Sequence, residues 1–555
     1  MSGQGLSEIE LQIMWNRLLS VVEEQAQTLV RTAFSTSARE AGDISAGVFD
    51  LRGRMVAQAV TGTPGHVNTM ARSVGHFLDE FPIETMVEGD IFVTNDPWKG
   101  TGHLYDLVIV TPNFLDGKMV ALFASTTHLV DMGGVGQTPE GRQIYHEGLF
   151  IPLLRLARAG AMNEDLLAMM RANVREPVQV IGDVYALIAC NEIGGRRLGA
   201  MMREFGLGDI EGLSDAIINR SRDSMAEVIA KLPKGAWTAS MRIDGYEAPI
   251  DLVATVRIGD AMIHVDFTGS SGMSSFAINC PMCYTEAYTT FGVNCLIAPH
   301  VPNNAGTLDA VRVTAPEGTI VNATHPAAVY ARSVMGHMLP DVVYGCLDQA
   351  LPGRVPAEGT SNLWTLNLIA GHGLTGIGGK AGTAFMVNSF HSGGAGARPA
   401  QDGLSATPFP SGVRNVPVEA TEAITPLVIW RKELRQDSGG PGRQRGGLGQ
   451  VMEIGSREAA PFGIFARFER VKHPARGRHG GGPGQSGRLS LASGKELPAK
   501  GLSVVPPGDR LIVEMPGGGG MGPPAERDPE ALRRDVRLGY LSETAATRDY
   551  GPTEG

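Results

Sequence analysis

Near the N-terminus the apolar residues Leu11, Met14, Leu18, Val21 and Val22 recur with helical spacing and form one stripe. Ser7 stands ahead of Glu8 and Glu10, an N-cap residue followed by first-turn acids, so a helix is expected from there to about Phe34. Gly47–Ala57 then reads as a hairpin turning around Leu51-Arg-Gly53, and residues 64–80 as a helix that stops before Pro82. Leu107–Pro112 and Met119–Ser125 are strand-like runs either side of Asp116-Gly117, a dipeptide suited to a tight hairpin turn. Residues 163–205 and 209–231 read as helical, with Gly182 and Gly194–Gly195 as interruptions.

From Gly235 the pattern alternates with period two, as in Trp237–Ile243 and Ile263–Phe267, which predicts antiparallel strands. Helices are expected at Met282–Leu296 and Val329–Ala350. Beyond Gly371 glycine is dense and short strands such as Pro426–Trp430 and Leu511–Glu514 dominate, before a charged helix from Pro529 to about Leu538. The expected fold is α+β: a helix-rich N-terminal half with a metal-bearing β-hairpin, then a β-rich, glycine-dense C-terminal half. The expected divisions are residues 1–234, 235–370, 371–523 and a helical tail over 524–555.

Composition narrows the class. The 555 residues are long enough for several structural units, and 43% hydrophobic with 19% charged residues fits an ordinary globular chain. With 48 basic against 58 acidic side chains the formal charge is −10, which argues against a surface built for nucleic acid. Apolar runs such as Met119–Ala124 are too short to span a bilayer, no signal peptide is evident, and the five cysteines form no disulfide framework. A cytoplasmic protein is the expectation. The 73 glycines lie within patterned sequence, so they predict tight turns and close backbone approaches rather than disorder.

Candidate chemistry concentrates beside the central hairpin. His103-Leu-Tyr-Asp106 and His128-Leu-Val-Asp131 are matched His-x-x-Asp segments. A loop at residues 114–117 would set His103 directly opposite His128; a tighter two-residue turn would shift the pairing by about two residues, and in both cases the imidazoles stay neighbours, about 5–8 Å apart at Cβ. Asp106 would face away in a regular strand and could join only if the chain turns at Gly102. Imidazole and carboxylate without thiolate suit Zn²⁺, Mn²⁺ or Fe²⁺; the alternative is a pair of strand-end histidines that only make hydrogen bonds. Cys280-Pro-Met-Cys283 has no second pair to complete a zinc site and reads as neighbouring thiols. Asp437–Gly449 combines arginines with glycine amides and could cradle a phosphate or simply form tight turns. Arg476, Arg478 and His479 beside Gly480–Gly482 raise the same question, and Gly376–Gly382 is a misspaced near miss to a phosphate loop.

A run of motifs carries a resemblance. Ser37–Ser45, Pro64–Met70, Gly89–Pro97, Gly100–Asp106, His128–Gly134, Ile144–Gly148, Pro302–Gly306, Glu433–Gly442, Arg445–Gly449 and Pro516–Gly522 occur in order along the chain. Together they resemble the hydantoinase B/oxoprolinase family, essentially end to end. The resemblance implies one divalent metal held by Asp43, His103, Asp106 and His128, with Asp131 orienting His128. It implies an A-type partner subunit with an actin-like ATPase fold, which uses ATP to phosphorylate the carbonyl oxygen of a cyclic amide. The B subunit would then activate water, with His66 and Glu147 as acid–base candidates. An acetone- or acetophenone-type carboxylase subunit is the competing reading, and a non-catalytic scaffold the third.

Overall fold

A computed structural model describes residues 7–60, 63–371 and 382–551. The Gly376–Gly382 near miss therefore falls outside the described residues except for its last glycine. The first helix, Glu8–Thr32, is capped as its sequence predicts, with Ser7 and Glu10 making a reciprocal capping box.

A seven-stranded antiparallel sheet follows. Its strands are β1 (Ile44–Phe49), β2 (Met55–Gln58), β3 (Ile91–Thr94), β4 (Asp106–Leu115), β5 (Lys118–His128), β6 (Leu154–Arg158) and β7 (Ala161–Met162), in the order β2-β1-β5-β4-β3-β6-β7. Both faces are covered, which is why the central strands read as continuous apolar runs. Leu107, Ile109 and Phe123 belong to the core shared with helices Glu8–Thr32 and Pro177–Phe205. Val108, Val110, Leu122 and Ala124 pack on the other face under helix Pro64–Glu80.

Helix Pro177–Phe205 runs unbroken through the glycines that were expected to interrupt it. A Cβ on Gly194 would lie 2.6 Å from the Phe123 ring, and one on Gly195 would lie 2.2 Å from Asn113 Nδ2. These glycines are contact points where the helix backbone presses on the sheet. Each costs about 1 kcal/mol in helix propensity, set against the burial of ring and backbone that the close approach allows.

The second sheet has the order β11-β10-β9-β8, built from β8 (Gly235–Ile243), β9 (Ile250–Ile258), β10 (Ile263–Asp266) and β11 (Val311–Thr314). Helices Met282–Ile297 and Leu339–Ala350 pack beside it. The second of these was expected from Val329, but the helix proper begins ten residues later. Residues 329 and 330 instead lead into a turn and are held by Glu147, whose Oε1 accepts their two backbone N–H groups at 2.5 and 2.8 Å. One continuous core runs from Leu11 to Val355.

The glycine-dense part contains two four-stranded sheets. One is β13-β12-β16-β18, from β12 (Leu366–Ala370), β13 (Phe385–Ser389), β16 (Phe462–Arg467) and β18 (Lys500–Val505). The other is β14-β15-β19-β17, from β14 (Leu427–Leu434), β15 (Gln450–Ser456), β17 (Arg488–Leu491) and β19 (Leu511–Glu514). Beside them, glycine segments around residues 394–397, 438–449, 475–484 and 516–522 run against one another and bond backbone to backbone outside any regular strand. Examples are Gly440 N–H to Gly518 O (2.8 Å), Gly518 N–H to Gly447 O (3.0 Å) and Gly520 N–H to Gly482 O (2.9 Å). A Cβ on Gly446 would sit 1.9 Å from Gly518 O, so the spacing admits no side chain. The tail folds into two helices, Pro529–Arg537 and Glu543–Tyr550. Among the described residues no helix is long and apolar enough to cross a membrane.

Candidate metal centre

The central hairpin turns at Asp116-Gly117, where both residues have positive φ (51° and 78°), the geometry of a two-residue turn. This is the tighter of the two turns the sequence allows, and a bulge between Asn113 and Phe114 slides the register further. His128 therefore pairs with Asp106 and not with His103. His103 lies outside the strands, in the turn ahead of β4. Gly102, with φ +94°, bends the chain there and swings His103 back over Asp106. The turn at Gly102 is the condition under which Asp106 could join the histidines, and it is met.

His103, Asp106 and His128 are all buried, and one donor atom from each lies within 4.8 Å of the others. His103 Nε2 is 2.7 Å and His128 Nδ1 3.0 Å from the same oxygen, Asp106 Oδ1. Asp43 enters from the neighbouring strand. It immediately precedes β1, which pairs with β5, and its carbonyl accepts the His128 backbone N–H. The Asp43 carboxylate stands one step from the three donors: Oδ1 accepts from Thr63 Oγ1 at 2.7 Å and is 3.5 Å from His66 Nδ1. His66, in the first turn of helix Pro64–Glu80, bridges the two carboxylates, its Nε2 lying 2.8 Å from Asp106 Oδ2.

Charge follows from these contacts. Burial opposes the Asp106 carboxylate, but His66 and the Arg332 guanidinium hold it well below the usual carboxylate range. Burial, with Arg332 adding to it, pushes His103 down to about 3, so its imidazole is neutral. Its Nδ1 is 2.9 Å from the Tyr330 carbonyl, which can only accept, so Nδ1 carries the proton. Nε2 is then a bare lone pair, buried and without a hydrogen-bond partner, aimed at a carboxylate oxygen. Two lone pairs facing each other at 2.7 Å repel unless a cation lies among them, and the second imidazole completes such a donor set. The residues present fit a divalent metal of the Zn²⁺, Mn²⁺ or Fe²⁺ class.

Two expected residues stand elsewhere. Asp131 does not touch His128. Its carboxylate accepts from Gly133 N–H (3.0 Å) and from the backbone and guanidinium of Arg175 (2.9 Å to Nη1), tying the segment after β5 to the approach to helix Pro177–Phe205. Glu147 reaches the donors only through Tyr330: it fixes the backbone whose carbonyl holds His103. Burial pushes the Glu147 carboxyl up to about 8 against those two backbone N–H groups.

The Asp437–Gly449 amides are consumed by other backbones, Gly446 N–H by Gly440 O and Gly447 N–H by Ala395 O, and Arg445 pairs with the buried Asp535. Arg476 binds Glu358, and Arg478 and His479 bind Asp348. Neither segment presents a phosphate cradle. The Cys280 thiol is buried, raised to about 12, and accepts from Thr285 Oγ1 at 3.2 Å, in keeping with an unreactive neighbour of Cys283. Sequence reasoning missed Arg332, Thr101 and Tyr330. Arg332 had one signal, a lone cation inside the apolar run Ala327–Met338.

The family model for hydantoinase B/oxoprolinase matches residues 7–524. The chain is 29% identical to the caprolactamase subunit beta of Pseudomonas jessenii, over 98% of this chain and 95% of that protein. The crystal structure of an ATP-dependent caprolactamase from Pseudomonas jessenii superposes with TM-score 0.88 at 25% identity, covering 100% of this chain and 97% of that one. A nucleotide-free acetone carboxylase structure has the same fold, with TM-score 0.84 at 20% identity over 97% of this chain and 79% of that one. With a family match over nearly its whole length, the chain belongs to the hydantoinase B/oxoprolinase family.

Proposed function

We propose that this chain is the B subunit of an ATP-dependent cyclic-amide hydrolase, and that it opens a hydantoin or lactam ring whose carbonyl oxygen has been phosphorylated by an A-type ATPase partner. Asp43, His103, Asp106 and His128 would hold one divalent ion, Zn²⁺, Mn²⁺ or Fe²⁺. The observation that carries the reading is the convergence of His103 Nε2 and His128 Nδ1 on Asp106 Oδ1, with Nε2 left as an unpartnered buried lone pair. When bound, such an ion supplies Lewis-acid chemistry, lowering the pKa of water towards neutrality.

The chain's own residues supply orientation and proton handling. Glu147 fixes Tyr330, Tyr330 fixes the His103 tautomer, and the unpaired donor face of His103 is thereby set before any substrate arrives. His66 has its pKa raised despite burial, by Asp106 and Asp43, so its ring can hold a proton at the edge of the donor cluster. A carboxyl with a pKa near 8 is protonated at neutral pH, so Glu147 holds the Val329 and Tyr330 N–H groups as a neutral acceptor and cannot serve as a base. The likeness to a caprolactamase subunit beta and to an ATP-dependent caprolactamase supports a two-subunit, ATP-driven reaction.

The reading is tested on the chain co-purified with its A-type partner. Metal content by plasma mass spectrometry is expected to be near-stoichiometric in wild type and lost in His103→Ala. With ATP, ring opening of a hydantoin or lactam panel is expected without bicarbonate. Turnover of a ketone that appears only with bicarbonate would assign the chain to the carboxylases, and activity that survives His103→Ala would leave it a scaffold.

A further inference from the structure

The two oxygens of Asp106 face different neighbours. Oδ1 faces the imidazoles of His103 and His128. Oδ2 receives the Thr101 hydroxyl at 3.0 Å, His66 Nε2 at 2.8 Å, and the guanidinium of Arg332, 226 positions further along the chain. Arg332 is 3% exposed and its guanidinium is already spent on groups of this chain.

The fold is shaped around this side chain. Its Nε donates to the Thr101 carbonyl at 2.7 Å, and its guanidinium lies 4.1 Å from the centre of the Tyr284 ring, a cation–π arrangement. Gly102 lines the remaining side, where a Cβ would fall 2.6 Å from both Cδ and Nε of Arg332. The glycine that swings His103 over Asp106 is thus the same one that admits the arginine.

We infer that Arg332 is a positioning residue: by fixing Asp106 Oδ2 it presents Oδ1 alone to the ion held with His103 and His128, an inference that rests on the metal reading above. Carboxylate rotation about χ2 is a soft torsion, so without the guanidinium Asp106 can turn between the two sets of partners. The charge of Arg332 acts in the opposite sense, since a cation repels a cation. It is, however, in contact with the Asp106 carboxylate, so the ion meets the pair as a dipole and orientation wins. Loss of a group that orients a metal ligand typically weakens affinity about 10–100-fold.

The experiment is chelator competition on the full chain, stripped and reloaded with Zn²⁺, Mn²⁺ or anaerobic Fe²⁺. Arg332→Gln is expected to weaken the wild-type metal by about 10–100-fold. Arg332→Lys is expected to weaken it too, although the charge is kept, because one ammonium cannot span the Thr101 carbonyl and Asp106 as the planar fork does. In an Asp106→Asn background Arg332→Gln is expected to add less than about threefold, a non-additivity that a general loss of packing would not produce. Should Arg332→Gln not fold, Arg332→Lys carries the same comparison in both backgrounds. Wild type that binds metal while the Arg332 variants bind equally well or better overturns the inference alone, as does an equal loss in both backgrounds. Wild type that holds none of the three metals overturns the metal reading and this inference together.

Discussion

Glu147→Gln separates the positioning of Tyr330 from acid–base chemistry. In the folded chain Glu147 keeps its proton up to about pH 8, whereas a freely solvated glutamate ionises near 4.5. Between those values the unfolded chain binds fewer protons than the folded one, so stability falls as pH rises. The stability is fully present below about pH 4.5 and its loss levels off above about pH 8. At about 1.4 kcal/mol per pH unit, the difference between the two pKa values gives a loss on the order of 4–5 kcal/mol across the window. Glutamine keeps a carbonyl oxygen for the Val329 and Tyr330 N–H groups and never ionises. Its amide nitrogen replaces Oε2, which has no hydrogen-bond partner, so the exchange is nearly neutral at pH 5. Thermal midpoints of both proteins, scanned from pH 5 to 9 at constant ionic strength, are expected to start together. Wild type then falls below Glu147→Gln by a margin that grows to pH 8 and flattens. Parallel curves would refute the raised pKa; a Gln variant that is less stable at every pH would refute the neutral-acceptor role.

Asp131→Asn is expected to lower the thermal midpoint, because it leaves Arg175 without its buried carboxylate, while metal content stays at the wild-type level. Loss of metal in that variant would return Asp131 to the role of orienting His128. Gly446→Ala is expected to prevent accumulation of soluble chain, since a methyl 1.9 Å from Gly518 O cannot be relieved by a rotamer change. A soluble, normally melting Gly446→Ala protein would refute the close-packed description of the glycine segments.

Local features were legible in the sequence. The Ser7–Glu10 cap, the helix over 64–80 and the Asp116-Gly117 turn each depend on residues a few positions apart, and each is found. His103, Asp106 and His128 were legible as a group because one hairpin and the turn leading into it carry them. Their register was not: the bulge at Asn113–Phe114 has no sequence signature of its own, and it decides which residue faces His128. Asp43 lies beside His128 only because β1 pairs with β5 across the intervening strands, an order that alternation along the chain does not encode. Gly182, Gly194 and Gly195 misled because a glycine chosen for close packing looks the same in sequence as one that ends a helix. Arg332 was out of reach for the same non-local reason, its partner lying 226 positions upstream.

The glycine segments also bear on how the chain is made. Residues 516–522 pass among the others: Gly517 N–H bonds Gln485 O, Gly518 N–H bonds Gly447 O, Gly519 N–H bonds Glu358 O, and Ala397 N–H bonds Gly519 O. A ribosome delivers them after every segment they run among, yet they pass through the middle of those segments. The earlier segments therefore emerge with those backbone groups unpaired and hydrated, and the glycine layer closes only once residues 516–522 have cleared the exit tunnel. A chain halted before residue 516 would leave the ribosome with an open groove in that layer, a form suited to capture by chaperones and removal by proteases.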